Sequence, residues 1–304
     1  MWVYKDSRAA LRDVLRLSRA MTSKAAVADL PLGGGKGVIM VPNGGTMTRE
    51  RRHAALLDFG DTVAALQGQY ITAEDVGTSS RDMSVIAERT EYVAGLSRRL
   101  GGSGDPSPFT ALGVHVAIRA CCERVFGSTS LRGRKICVVG LGHVGSRVAK
   151  LCAKDGAKLL VADVDRSKRT LADELGASWA TPARALDAKV DVLAPCALGG
   201  FLDDETVPRL RCRIIAGAAN NQLADDRIAD LLAAREILWA PDFVVNAGGI
   251  INIVEELDEY SPANARKRVR GIADTLGEIF DHAEKMSITP LAAANELARE
   301  RLRA

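Results

Sequence analysis

The chain has 304 residues and a mass of 32.4 kDa, which at ~150 residues per domain suggests two domains. Hydrophobic residues make up 47% and charged residues 26% of it, the balance of an ordinary globular protein, which excludes disorder, a collagen-like repeat and a coiled coil. Forty-one Lys and Arg against 38 Asp and Glu leave a net charge of +3, too little to drive non-specific binding to nucleic acid or to an anionic membrane.

In chain order, Asp6 or Ser7 can cap a first helix that carries Leu11, Val14, Leu15, Ser18 and Met21 at helical spacing. Gly33-Gly34-Gly35 leads to a short strand at Val38–Val41, and Pro42-Asn43-Gly44-Gly45 reads as a turn. A helix is predicted from Thr48 to Gln67, a strand from Gln69 to Ala73, and then a helix capped by Ser79 or Ser80. Residues 101–108, Gly-Gly-Ser-Gly-Asp-Pro-Ser-Pro, break the pattern. Small turn residues and two prolines sustain neither a helix nor a sheet ladder, so the domain junction is placed there. After a helix from Thr110 to Arg124, strands at Ile136–Val139, Leu159–Ala162, Val190–Ala194, Arg213–Ala216 and Ile237–Ala240 alternate with helices, among them Val144–Lys154 and Ser167–Leu175. That alternation implies a parallel, doubly wound sheet. From Asn264 the chain is helical in two stretches, broken near Ser287–Pro290.

No apolar run approaches the ~20 residues that span a bilayer, and Met1, Trp2, Tyr4, Lys5 and Asp6 open no signal peptide. Six cysteines form no CxxC pair and have no His at metal-ligand spacing. Reduced thiols, no bound metal and a cytoplasmic location are therefore expected. The arginine-rich spots Arg49–Arg52 and Arg266–Arg270 read as solvated helix faces. His53, His115 and His282 lie on helical patterns without an acidic or Cys partner and read as packed or surface side chains.

Two regions carry chemistry. Ile136-Cys-Val-Val-Gly140-Leu141-Gly142-His143-Val144-Gly145 is a GxGxxG that follows a buried strand and opens a helix. Gly140 permits the tight turn, Gly142 lets the backbone approach a pyrophosphate, and Gly145 allows close strand–helix packing, with the helix N-terminus facing the anion. His143 fills a variable position whose backbone N–H matters. Asp163 ends the next strand, 18 residues after Gly145. An acid there accepts from a ribose 2′-hydroxyl and favours NAD over NADP, a preference softened by Arg166 and Lys168 nearby. The other region joins Lys24, Gly33-Gly34-Gly35-Lys36-Gly37 and Thr72-Ala73-Glu74-Asp75-Val76-Gly77-Thr78. The glycines would hold the Lys36 ammonium close to backbone, and the GxxxxGK[ST] spacing of a phosphate loop is absent.

With Gly104-Asp-Pro-Ser-Pro-Phe-Thr110-Ala-Leu-Gly-Val, Ala194-Pro-Cys196-Ala197-Leu-Gly-Gly, Ala218-Ala-Asn220-Asn-Gln-Leu and Ala240-Pro-Asp-Phe-Val-Val-Asn246-Ala-Gly-Gly, these motifs fall in one order. Along essentially its whole length the chain resembles the Glu/Leu/Phe/Val amino-acid dehydrogenases, above all the leucine/valine and phenylalanine branches. The resemblance implies an α/β protein of two domains with a cleft between them. The first is a substrate domain over residues 1–110, onto which the C-terminal helices, residues 285–304, pack back. The second is a Rossmann-type, doubly wound NAD-binding domain over residues 111–284. It implies a homo-oligomer that deaminates an L-amino acid with NAD+ to the 2-oxo acid, ammonia and NADH. Lys24 would bind the substrate carboxylate, Lys36 would be the catalytic lysine, and Asp75 would exchange protons with the substrate nitrogen. Asn220 would lie between substrate and nicotinamide ribose, and Thr110 would meet the nicotinamide amide. Gly140, Leu141, Gly142, His143, Val144, Gly145, Asp163, Val164, Lys168, Cys196, Ala197 and Ala218 would line the cofactor.

A free lysine, with a pKa of ~10.4, is no base at neutral pH. Burial, a second cation at Lys24 and the positive nicotinamide would depress it towards ~7–8, so that Lys36 could activate the water that attacks an iminium. By the same resemblance Ala73, Ile250 and Ile253 line the side-chain pocket. None can pair a second carboxylate, which disfavours glutamate and points to leucine, isoleucine or valine. A methylene decides only ~1–3 kcal/mol in such a pocket, so phenylalanine is the alternative substrate. Family members carry several dozen residues before the place of Met1. The expectation is therefore an N-terminally incomplete first domain with an unpaired sheet edge and one pocket wall unbuilt. That leaves an inactive NAD-binding or assembly subunit as the reading from another class.

Overall fold

Helix starts follow the capping chemistry of the sequence. Asp6 Oδ1 accepts from the Ala9 N–H at 2.7 Å and opens α1 (Ser7–Val27), while Thr48 caps α2 (Arg49–Ala65). Ser79 and Asp82 form a reciprocal capping box at the start of α3 (Ser80–Ile86). β1 (Trp2–Val3), before α1, pairs in parallel with β2 (Met40–Val41), between α1 and α2. The computed structural model describes every residue except 42–44, 198, 259 and 304. Of the turn read at Pro42–Gly45, only Gly45 lies among the described residues. The predicted strand at Gln69–Ala73 reduces to a single bridge between Thr72 and Val93.

The chain divides into two units, one of Met1–Pro106 with Ile250–Asn264, the other of Ser107–Gly249 with Ala265–Ala304. The first has a small core of Leu56, Met83 and Ile86. The second opens with α4 (Ser107–Phe126), which begins inside the predicted break because Pro108 sits in the first turn, where a missing N–H is harmless. There follow β3 (Lys135–Val139), α5 (Gly145–Lys154), β4 (Lys158–Ala162), α6 (Arg169–Glu174), β5 (Ser178–Ala180), α7 (Pro182–Leu186), β6 (Val192–Pro195), β7 (Ile214–Ile215), α8 (Ile228–Ala234), β8 (Leu238–Trp239) and α9 (Asp242–Val245). The six strands form one parallel sheet in the order β5-β4-β3-β6-β7-β8. Its middle strands are apolar on both faces, as a sheet covered by helices requires. The strand β5 is new to this reading: three residues holding Ser178 and Trp179 show too little alternation to be read beforehand.

The helix α10 (Gly248–Val254) runs from the last residues of the second unit into the first. The tail forms α11 (Pro262–Arg270), α12 (Ile272–Met286) and α13 (Pro290–Arg301). The expected return of residues 285–304 to the first domain is corrected. The helix α13 belongs to the second unit, with Leu291 against the sheet's core, Glu296 on His282 at 2.7 Å and Arg301 on Glu278 at 2.9 Å.

Candidate active site

In the first unit the glycine run is a packing requirement of α1. A Cβ on Gly34 would fall 2.2 Å from the Thr22 nitrogen and 2.4 Å from the Ser18 carbonyl, and Ser18 donates its hydroxyl to the Gly34 carbonyl at 2.8 Å. A Cβ on Gly35 would meet the Tyr70 ring at 2.7 Å, and one on Gly37 the Phe59 ring at 2.6 Å. The backbone therefore lies flat on the helix that carries Lys24 and is wedged against two aromatic rings. Lys36 leaves this tight segment with its side chain only 22% exposed and forms an ion pair with Asp75. Partial burial pushes the Asp75 carboxyl up, but Lys36, the Val76 N–H and the charge of Lys24 outweigh it and hold the group below its ordinary range. Its neighbour Glu74 goes the other way, raised by burial and by the charge of Asp105. The two adjacent carboxyls are thus shifted in opposite directions, Asp75 down and Glu74 up.

Ala73 is half-buried beside Gly95, whose Cβ would lie 4.0 Å from that of Ala73. Ile250 and Ile253, also half-buried, share one face of α10 at a spacing of three. A residue that sequence reasoning missed connects them. Glu256 accepts from the Gly95 N–H at 2.9 Å and from the Ser103 N–H at 2.8 Å, tying the segment after α10 to the loop beside Ala73. Nothing in the local pattern of Glu255-Glu256 distinguishes this carboxylate from a solvated one.

In the second unit the loops after β3, β6 and β7 converge where the strand order reverses, the place at which such sheets bind nucleotides. Gly140 has φ +95°, and a Cβ there would lie 2.8 Å from both the nitrogen and the Cβ of Ala197. A Cβ on Gly145 would meet the Gly140 carbonyl at 1.8 Å and the Cys196 Cβ at 2.9 Å, whereas one on Gly142 meets no protein atom within 4 Å. Two of the three glycines are thus demanded by packing. The third leaves free backbone surface before α5, whose N-cap residue Val144 makes no side-chain cap. A cradle of this shape can accept a dinucleotide pyrophosphate. Asp163 reaches back from β4 to accept from the Leu141 N–H at 2.6 Å and also accepts from the Asp165 N–H. His143, Val164 and Lys168 are exposed around this loop and Leu141 is buried beneath it. Burial raises the Cys196 thiol to about 11, so it lines the loop as a neutral group.

The loop after β7 meets the end of β6 through the Ala219 N–H and the Pro195 carbonyl, which brings Ala218 to the same edge. Asn246, between α9 and α10, closes on this loop. Its amide donates to the Ala218 carbonyl at 3.1 Å and to Asn220 Oδ1 at 2.8 Å, and a Cβ on Gly248 would press on the Phe109 carbonyl and on Thr110 Cα at 3.1 Å. Asn246 thus holds Ala218 and Asn220 together, and Gly248, two residues on, packs against Phe109 and Thr110; the sequence motif that contains this asparagine shows no role for it.

His115 is packed, as expected, but the expectation that His115 and His282 have no acidic partner is corrected. His115 meets Asp155 at 2.9 Å and His282 meets Glu296, partners supplied by other elements and so invisible in local sequence. Among the described residues no cluster of three or more His, Cys, Asp or Glu could hold a metal, and no helix is long and apolar enough to cross a membrane.

Residues 3–92 match the family model described as "Glu/Leu/Phe/Val dehydrogenase, dimerisation domain", and residues 161–304 match "Glutamate/Leucine/Phenylalanine/Valine dehydrogenase". Residues 118–197 also match "D-isomer specific 2-hydroxyacid dehydrogenase, NAD binding domain". The chain is 43% identical over 303 residues to a leucine dehydrogenase of Thermoactinomyces intermedius, covering 99% of this chain and 82% of that one. It is 40% identical to a phenylalanine dehydrogenase of Caldalkalibacillus thermarum, covering 99% and 82%. The solved structure of an L-tryptophan dehydrogenase from Nostoc punctiforme is similar with a TM-score of 0.86 at 40% identity, covering 99% of this chain and 86% of that one.

Proposed function

As a member of the Glu/Leu/Phe/Val dehydrogenase family, and so an NAD-dependent amino-acid dehydrogenase, the chain acts, we propose, on a branched-chain L-amino acid. Leucine, valine or isoleucine is converted to the 2-oxo acid and ammonia. The observation that carries the proposal is the half-buried Lys36 paired with Asp75, with the charge of Lys24 reaching the same carboxylate. Two lysines and one carboxylate suit a substrate with one carboxylate and one amine. Lys24 binds the carboxylate. Asp75, kept ionised by its neighbours, exchanges protons with the substrate nitrogen. Lys36, in its uncharged form, takes the proton of the water that attacks the iminium carbon. NAD, when bound, supplies the acceptor for the hydride that leaves Cα. The chain would hold it with Gly140, Gly142 and Gly145 at the pyrophosphate, Asp163 at the ribose, Cys196, Ala197 and Ala218 along its face, and Thr110 and Asn220 at the nicotinamide end.

Ala73, Ile250 and Ile253 offer no charge to a second substrate carboxylate, which supports an apolar substrate over glutamate. The phenylalanine and tryptophan dehydrogenases among the relatives favour an aromatic substrate as the second reading. Comparison of kcat/KM for leucine, valine, isoleucine, phenylalanine and tryptophan, followed by NADH absorbance, separates the two. The branched-chain substrates are expected to lead by about tenfold or more, and an aromatic lead would overturn the assignment. NADH binding with no turnover of any of them would point to an inactive NAD-binding subunit. The match of residues 3–92 to a dimerisation domain supports a homo-oligomer, which light scattering would register as a mass well above 32.4 kDa.

A further inference from the structure

The run Arg49–Arg52 reads in sequence as a solvated face, and Arg49 and Arg51 are indeed exposed. Arg52 differs. Its Nε and Nη2 grip the two oxygens of Asp82 at 2.9 and 2.8 Å, and the same Nη2 donates to the Gly77 carbonyl at 2.8 Å. Asp82, 9% exposed, also accepts from the Ser79 N–H and hydroxyl, each at 2.8 Å. One guanidinium thus joins α2, the first turn of α3 and the loop just before it.

That loop carries Asp75. Its turn is closed by the Thr78 N–H and hydroxyl on the Asp75 carbonyl at 2.9 and 2.8 Å, and by the Asp75 N–H on Thr78 Oγ1 at 2.9 Å. Gly77, at φ +79°, lies inside the turn, so a pull on its carbonyl moves the whole four-residue unit. The Asp75 side chain is half-exposed and is gripped by Lys36 and by the adjacent Val76 N–H. Its position is therefore inherited from the backbone that presents it. We propose that Arg52 is a positioning residue for the reaction, holding the 75–78 turn so that Asp75 meets Lys36. A lysine could not do this, because a point charge on a flexible stem cannot satisfy two carboxylate oxygens and a carbonyl in one plane.

This inference rests on the proposed roles of Lys36 and Asp75, and a double-mutant cycle on kcat tests it. Arg52→Lys is measured in the wild-type and in the Asp75→Asn background, with whichever apolar L-amino acid the wild type oxidises fastest. A misplacement of about 1 Å lowers a rate by up to about a hundredfold. The expected result is a loss of ten- to a hundredfold in kcat in the wild-type background, with KM for the amino acid and for NAD within about threefold. In the Asp75→Asn background the further loss should be less than about twofold, since the group being positioned is already gone. Equal losses in both backgrounds mean that Arg52 is merely structural and overturn the proposal, as does an unchanged kcat. Should Arg52→Lys fail to fold, Asp82→Asn enters the same cycle with the same expectation. A wild type that oxidises no apolar L-amino acid defeats the functional reading and this inference with it, whereas wild-type turnover with equal losses defeats the inference alone.

Discussion

The electrostatics of Asp82 are set by the groups packed around it. Burial raises its carboxyl, and the Arg52 fork with the Ser79 N–H and hydroxyl more than offsets that, so its folded-state pKa lies below the usual carboxylate range. A depressed carboxyl contributes stability that is present above its unfolded pKa of ~3.9 and is lost as pH falls through the lower folded value. Asp82→Asn is expected to lower stability at pH 7 by about 1–3 kcal/mol, through the lost charge-assisted hydrogen bonds. The gap from wild type should narrow as pH falls below the unfolded value of ~3.9. Urea titrations at pH 7 and pH 3 check this, and a gap that stays constant with pH would contradict it. Neither partner of this pair could be singled out beforehand. Asp82 reads as an ordinary third residue of a helix and Arg52 as one of several arginines, since the contact that defines them spans thirty positions. Lys36 was more legible, because three successive glycines ahead of a lysine have few explanations other than close backbone approach.

Among the elements, the glycine loop between β3 and α5 separates what packing demands from what a ligand demands. Gly145→Ala drives a methyl into the Gly140 carbonyl, while Gly142→Ala meets no protein atom. Gly142→Ala is therefore expected to leave the Tm within a few degrees of wild type and to weaken NADH binding by about tenfold or more. Gly145→Ala is expected to lower both. Calorimetric titration with NADH and a thermal melt decide the matter, and normal NADH affinity in Gly142→Ala would remove the pyrophosphate from this loop. The loop, its flanking strand and helix, and Asp163 could be read from sequence because the motif, the apolar strand and the acid all act locally. The short strand β5 could not, and the predicted strand at Gln69–Ala73 kept only the Thr72–Val93 bridge because no neighbouring strand extends the ladder.

For the whole molecule, the assignment of the C-terminal helix matters most. Resemblance placed residues 285–304 on the first domain, but Leu291, Glu296 and Arg301 bind α13 to the second unit. Sequence shows only an amphipathic segment there, and which core it covers is a tertiary fact. Removal of residues 290–301 is expected to lower the Tm by several degrees and to weaken NADH binding. If affinity for NADH held while that for leucine fell, the helix would belong with the first unit after all. At the same scale, the alternation of strands and helices made five of the six strands of the doubly wound sheet legible, all but β5. The return of residues 250–264 to the first unit was not, because Glu256 secures it by accepting two backbone N–H groups more than 150 positions away.

The proposed function turns on Lys36 as the group that would activate water. The most direct measurement pairs steady-state oxidation of L-leucine with calorimetric NADH binding, in wild type and in Lys36→Ala. The account expects the wild type to turn over, and the variant to lose about 10²–10⁴-fold in kcat while binding NADH within about threefold of wild type. A Lys36→Ala enzyme that oxidised leucine within a few-fold of wild type would contradict it.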